Sequence, residues 1–278
     1  MKYKLVCLDM DGTLLNSEKK ISEKNLLAIK RAHELGVKVA ICTGRIFTSA
    51  YYYGNLIGVE APIIASNGAY IREKDRNEVI YKAILGYENC KDILSIFEKY
   101  DIIPHFFTSD TIFAEKLAYF SQYYSEANKK MPKENQVEIK ITTEWEKIFK
   151  ENELEIIKAV AADEDLNKIL RAKEEIKKLG TLEVVSSSQN NFEVMSKEAS
   201  KGRGVEILSD FYGLHPDEII CIGDNENDIS MIQFAGLGVA MGNSDKSVKE
   251  IANYITSSND EDGVARVIEE FILQNNNN

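Results

Sequence analysis

Two sequence periods alternate at the start of this chain and again near its end, and that alternation limits the folds open to it. Residues 4–8 form a short, continuous apolar run, the pattern of a strand buried on both faces. Ser22 then caps an amphipathic helix carrying Leu26, Leu27, Ile29 and residues 32–35, which Gly36 ends. Residues 37–42 repeat the buried run, residues 46–57 read as a helix ending at Gly58, and residues 62–65 read as a third strand. Strand–helix–strand alternation predicts a parallel sheet with crossover helices.

The pattern then breaks. Residues 69–72 and 79–82 read as a hairpin around a charged turn at 73–77. Helices over 87–100, 116–130, 144–149 and 163–179 interleave with strands at 102–107, 111–114, 137–141, 155–161 and 182–186. After 192–195 the first pattern returns, with helices over 202–212, 229–235, 247–251 and 261–273 and strands at 219–222, 237–241 and 254–255. The simplest reading is an α/β core made of residues 1–84 and 192–278, interrupted by an α+β insert at 85–191. A chain of 278 residues suits two domains of about 150 each.

Composition narrows the function. Lys plus Arg is 34 and Asp plus Glu is 45, a net charge of −11, which argues against a nucleic-acid partner and leaves room for one local anion pocket. No run approaches the roughly 18 apolar residues of a membrane helix, and the first apolar run, soon followed by Asp9 and Asp11, is too short for a signal peptide. Cys7, Cys42, Cys90 and Cys221 form no C-x-x-C pair and read as buried, reduced thiols, which fits a cytoplasmic protein. The tail at 275–278 is low in complexity and expected to fray.

In open parallel sheets ligands bind beyond the carboxyl ends of the strands. After the first buried run come Asp9, Asp11, Gly12 and Thr13; after the second, Thr43, Gly44 and Arg45; after the run at 219–222, Gly223, Asp224, Asn227 and Asp228. Lys201 precedes the helix that leads into that late strand. Four acids on one sheet edge repel one another unless a cation sits among them, and hard oxygen donors suit Mg²⁺. An added ammonium, a hydroxyl and free backbone N–H groups make the charge pattern of a phosphoryl-transfer site, where a carboxylate can be the nucleophile.

The run from Asp9 to Leu14, the Thr43-Gly44-Arg45 triplet, Lys201-Gly202 and the run from Gly223 to Asp228 resemble, in order, the four motifs of haloacid dehalogenase-like phosphatases. The insert after the third strand, with Asn67-Gly68-Ala69 ahead of it, resembles the Cof-type sugar-phosphatase branch, whose Rossmann-like core carries a large α/β cap. The resemblance spans nearly the whole chain. It implies a Mg²⁺-dependent phosphatase acting through an aspartyl-phosphate. Asp9 would attack phosphorus, and Asp11 would protonate the leaving alkoxide and then activate water. Gly12 would bring its N–H to the phosphoryl oxygens and Thr43 would donate to them, with Gly44 and Asn67 also on the substrate. Lys201 would neutralise charge and hold Asp9. Mg²⁺ would take the Asp9 carboxylate, the Asp11 carbonyl and Asp224, with Asp228 a further ligand or an acceptor behind the ligands. Asn227 would orient Lys201 or the phosphoryl group. Arg45 either caps a structural network or reaches the substrate. The second acid, Asp11, favours a phosphoester with a poor leaving group over a halide.

Other readings belong beside these. Lys197 is a rival to Lys201, although only Lys201 precedes a glycine. His33 and His215 read as surface and loop; His105 lies in a cap strand and is either structural or in touch with substrate. Tyr51, Tyr52 and Tyr53 read as packing. Tyr119, Phe120, Tyr123 and Tyr124 have helical spacing and suit cap packing or a dimer face. The expected partner is a small phosphoester, enclosed by a cap acting as a lid hinged near 82–85 and 190–193, on a monomer or homodimer. A phosphotransferase or mutase on the same scaffold, or a regulator that binds a phosphorylated metabolite without turnover, are the alternatives.

Overall fold

The computed structural model describes residues 2–73 and 78–274. The charged turn expected at 73–77 falls mainly, and the tail at 275–278 wholly, outside the described residues.

The chain divides into two compact units. The first comprises residues 1–44, 50–81 and 200–278. Its elements run β1 (Leu5–Leu8), α1 (Glu23–Glu34), β2 (Lys38–Cys42), α2 (Phe47–Ile57), β3 (Ile63–Ala65), β4 (Tyr70–Arg72) and β5 (Val79–Lys82). The second unit carries α3 (Tyr87–Lys99), β6 (His105–Phe107), β7 (Thr111–Ala114), α4 (Tyr119–Asn128), β8 (Glu138–Ile141), α5 (Trp145–Glu151), β9 (Lys158–Ala162), α6 (Leu166–Lys178), β10 (Leu182–Val185) and β11 (Asn191–Ser196). The first unit resumes with α7 (Lys201–Tyr212), β12 (Ile219–Gly223), α8 (Ile229–Phe234), β13 (Leu237–Ala240), α9 (Lys246–Ile251), β14 (Tyr254–Ile255) and α10 (Gly263–Ile268).

The first sheet has the order β14-β13-β12-β1-β2-β3-β4-β5. Strand β1 is central and parallel to both neighbours, with Leu8 opposite Ile222 on one side and Ile41 on the other. All four β1 residues are buried, as an apolar run between two sheet faces requires. The shared register brings the ends of β1, β2 and β12 to one edge. Below that edge Leu5, Cys7, Ala40, Cys42, Ile64 and Cys221 pack against Val205 and Leu208 of α7. Each fully buried Leu or Ile there contributes roughly 1.5–3 kcal/mol. All four cysteines are buried free thiols, and burial pushes those of Cys42, Cys90 and Cys221 up, so they behave as apolar filling.

The second unit has a six-stranded sheet, β10-β11-β9-β6-β7-β8. Alternation sorts its side chains. Phe106, Phe113, Ala159, Phe192 and Val194 face α3, α5 and α6, while Phe107, Ile112 and Val160 pack with Ile46, Tyr124 and Val137. Phe120 joins the second cluster, whereas Tyr123 is exposed. The unit's limits differ from the expected 85–191. Strand β11 pairs antiparallel with β9 and β10, which carries residues 192–199 into this unit. Residues 45–49 join it too, because Ile46 is buried in the second cluster and the Thr48 N–H donates to the Ser109 carbonyl at 3.2 Å. The helix expected at 261–273 is interrupted: Asp262 is left-handed at φ +59°, and α10 gives way to a π turn at Glu269–Leu273. Among the described residues no helix is long and apolar enough to cross a membrane.

Candidate active site

The edge above β1, β2 and β12 gathers most of the predicted residues. Asp9 leaves the end of β1, its N–H donating to the Ile222 carbonyl at 3.0 Å. The chain then turns at Gly12, whose φ is +86°. A Cβ on Gly12 would meet Asp224 Oδ2 at 2.4 Å, so only glycine lets the loop come this close to the β12 end. Thr13 Oγ1 donates to Asp224 Oδ1 at 2.9 Å.

Lys201 is the first residue of α7, after the cap Ser200, whose hydroxyl accepts from the Arg203 N–H. Gly202 lets this helix start lie against the Ser230 backbone, where a Cβ would come within 2.5 Å of the carbonyl oxygen. Lys201 Nζ thereby reaches Asp9 Oδ1 and Asp228 Oδ1, each at 2.6 Å, with all three side chains buried. The other Asp228 oxygen accepts from the N–H groups of Asp224 and Asn225 at 2.9 and 3.0 Å. Asp228 therefore binds the lysine and the β12 turn together. Lys197 is elsewhere, donating to the Gly180 carbonyl within the second unit.

These contacts set the charges. Burial and the Asp228 carboxylate push the Asp9 carboxyl well above its ordinary value, against the pull of Lys201. Burial acts to lower the Lys201 ammonium, but Asp228 and Asp9 outweigh it and hold the group well above the ordinary lysine value. Burial, then Asp228, raise Asp224 to about 6. Asp9, Asp224 and Asp228 each offer a carboxylate oxygen within 4.8 Å of the others. An all-oxygen donor set, crowded by like charge, fits a hard divalent cation such as Mg²⁺.

The remaining predicted residues lie in several places. Thr43 is buried at the β2 end, its N–H on the Ile64 carbonyl and its carbonyl accepting from the Asn67 N–H. Gly44 follows at the same edge. Asn67 is left-handed at φ +54°, and its side-chain oxygen accepts from Asn227 Nδ2 at 3.0 Å. Asn227 thus meets Asn67, linking the β3 and β12 loops. Asp11 lies outside the three-acid group, with its carboxylate 2.9 Å from Lys19 Nζ. Arg45 belongs to the second unit, its Nη1 3.4 Å from Ser49 Oγ. His105 is wholly buried between the Ile103 and Ala118 carbonyls and Ser121 Oγ, a structural position. Sequence reasoning missed Thr13 as a partner of Asp224. It also missed Asn243, which lies just past the β13 end and donates to the Gly12 carbonyl at 2.8 Å. The rule that ligands gather beyond strand ends, applied to the apolar run at 237–241, would have found Asn243; nothing local marks Lys19.

The fold and this edge define an α/β protein with an acid–lysine centre at the carboxyl ends of parallel strands. Residues 6–268 match the family model described as haloacid dehalogenase-like hydrolase. Two Bacillus subtilis (strain 168) proteins, each named 5-amino-6-(5-phospho-D-ribitylamino)uracil phosphatase, are similar over nearly their whole length. YwtE is 33% identical over 284 residues, covering 97% of this chain and 98% of that protein. YitU is 32% identical over 276 residues, covering 96% and 97%. A crystal structure of a haloacid dehalogenase-like hydrolase from Bacteroides thetaiotaomicron is 30% identical with a TM-score of 0.82, covering 98% of this chain and 100% of that one. The chain belongs to the haloacid dehalogenase-like hydrolase family, as its four motifs implied, and it is a phosphoric monoester hydrolase.

Proposed function

We propose that this phosphatase hydrolyses small phosphorylated metabolites, sugar or polyol phosphates above all, through an aspartyl-phosphate on Asp9. The observation that carries the reading is Lys201 buried between Asp9 and Asp228 at 2.6 Å, beside a three-acid group that fits Mg²⁺. Asp9, Asp224 and the Asp11 carbonyl would hold the cation, with Asp228 acting chiefly as the acceptor that sets Lys201 and the β12 turn. Mg²⁺, when bound, offsets the negative charge that the acids and a phosphoryl group bring together.

The chain's own groups do the rest. Lys201 holds Asp9 Oδ1, keeps the carboxylate aimed and favours its ionised form against burial and Asp228. The other Asp9 oxygen forms the bond to phosphorus as the ester P–O bond breaks. Asp11 gives its proton to the departing alkoxide. It then takes a proton from water, whose oxygen bonds phosphorus as the Asp9–phosphoryl bond breaks, releasing inorganic phosphate and restoring Asp9. Thr43, Gly44 and the Gly12 N–H would bind the phosphoryl oxygens, and Asn227 with Asn67 would fix the loops behind them. The second unit would select the leaving group. Two relatives are named for a ribityl phosphate, which supports a polyhydroxylated leaving group here.

The test is inorganic phosphate release from a panel of phosphorylated metabolites, 5-amino-6-(5-phospho-D-ribitylamino)uracil among them, with Mg²⁺ or chelator, in wild type and Asp9→Asn. Mg²⁺-dependent release that Asp9→Asn abolishes is expected. Release that survives Asp9→Asn would remove Asp9 as nucleophile.

A further inference from the structure

We propose that Lys19 is the positioning residue for Asp11, holding the carboxylate that serves the leaving group. The inference rests on reading Asp11 as the general acid. Lys19 Nζ lies 2.9 Å from Asp11 Oδ1, with both side chains partly open to solvent. Lys201 is committed to Asp9 and Asp228, so a different cation meets the fourth acid of this edge.

The backbone of Lys19 is the second observation. Its φ is +60°, in the left-handed region that glycine occupies at least cost. A long side chain stands where the turn favours glycine, and that side chain ends on Asp11. Strain kept at such a position points to a role for the side chain.

The turn is built to keep Lys19 in place. The Lys19 N–H donates to the Asn16 carbonyl at 2.9 Å, and Asn16 Oδ1 accepts from the Glu18 and Lys20 N–H groups at 3.0 and 2.9 Å. Ser17 donates its N–H and its hydroxyl to the two Asp260 oxygens at 2.8 and 2.5 Å. Asn259 Nδ2 donates to the Leu15 carbonyl at 2.9 Å, and Asn243 holds the Gly12 carbonyl. The loop from Gly12 to Lys20 is thus pinned to the loops after β13 and β14. An ammonium on a pinned turn restricts the Asp11 carboxylate more than a mobile surface lysine would.

A general acid matters most when the leaving group is a poor one. The experiment compares kcat/KM for the sugar phosphate turned over fastest with that for p-nitrophenyl phosphate, in Mg²⁺. Asp11→Asn should lose far more rate on the sugar phosphate than on the aryl ester. Lys19→Gly and Lys19→Met should shift the ratio the same way by about two- to fivefold, the range an exposed ion pair supports. Lys19→Arg should keep the wild-type ratio, and Lys19→Gly in the Asp11→Asn background should add nothing. The Tm of Lys19→Gly should not fall, because glycine relieves the left-handed turn. A wild-type ratio in Lys19→Gly beside a selective Asp11→Asn overturns the inference alone. An additive double variant also overturns it. An unselective Asp11→Asn overturns the reading of Asp11 and the inference with it.

Discussion

Gly12 and Asp224 lie so close that a Cβ on Gly12 would stand 2.4 Å from Asp224 Oδ2, although 212 positions separate them in the chain. The loop after β1 and the loop after β12 are one unit because of this contact and the Thr13–Asp224 hydrogen bond. Gly12→Ala must change a left-handed φ and displace the partly buried Asp224 carboxylate together. We expect a stability loss on the order of 1–3 kcal/mol and loss of nearly all Mg²⁺-dependent phosphate release. Thermal unfolding and phosphate release on the same preparation check both.

Lys201 neutralises two buried carboxylates. Lys201→Met leaves Asp9 and Asp228 facing each other, which should destabilise the metal-free protein by roughly 3–5 kcal/mol. Stability should partly return at acid pH as Asp9, already held above the ordinary carboxyl value in wild type, takes a proton, and the recovery should be larger in the variant than in wild type. Urea unfolding at pH 5 and pH 7.5 distinguishes the outcomes.

Asp224 titrates at about 6 in the fold against an ordinary 3.8. Between these values the folded state binds more protons than the unfolded state. The metal-free protein should therefore lose stability from this group as pH rises from about 4 to 6. Asp224→Asn should flatten that part of the profile. Above pH 6 the ionised cluster should gain more from Mg²⁺ than it does at pH 5, read as the rise in Tm on adding the ion.

His105 has the opposite sign. Burial holds its ring below the ordinary histidine value, against the pull of the Ala118 and Ile103 carbonyls. Its neutral form belongs to the fold, so its contribution is complete above about pH 6.5 and is lost as pH falls toward the depressed value. The Tm difference between wild type and His105→Gln should shrink from pH 7.5 to pH 5.5. A constant difference would show that His105 does not titrate against folding.

In the second unit Lys158 Nζ and Glu193 Oε2 are 2.7 Å apart, and both side chains are buried. Lys158→Met alone removes the ammonium from a buried carboxylate and should cost on the order of 3 kcal/mol. Lys158→Met with Glu193→Leu should recover most of it, because the pair's own desolvation cost disappears. A double-variant cycle by chemical unfolding measures this coupling.

The apolar runs ending at Leu8, Cys42 and Ile222 were legible because a strand buried on both faces leaves no polar alternative along its length. The acids just beyond them were legible for the same reason: nothing but the sheet edge remains for them. Local pattern also placed the cap Ser22, since capping is a short-range hydrogen bond. Local pattern could not show that β11 leaves the core for the second sheet, because an alternating strand pairs equally well with either edge until register is chosen. Nor could it show which acid each cation serves. The pairing of Lys201 with Asp9 and Asp228 spans 192 and 27 positions, and Asn243 reaches Gly12 across 231. Strand order and the close approach of Gly202 to Ser230 set those meetings. Composition and period thus determined which residues had to be buried and which edge would carry the polar ones. Only the tertiary structure decided their partners, because an ion pair depends on distance through space and the chain prescribes distance only between neighbours.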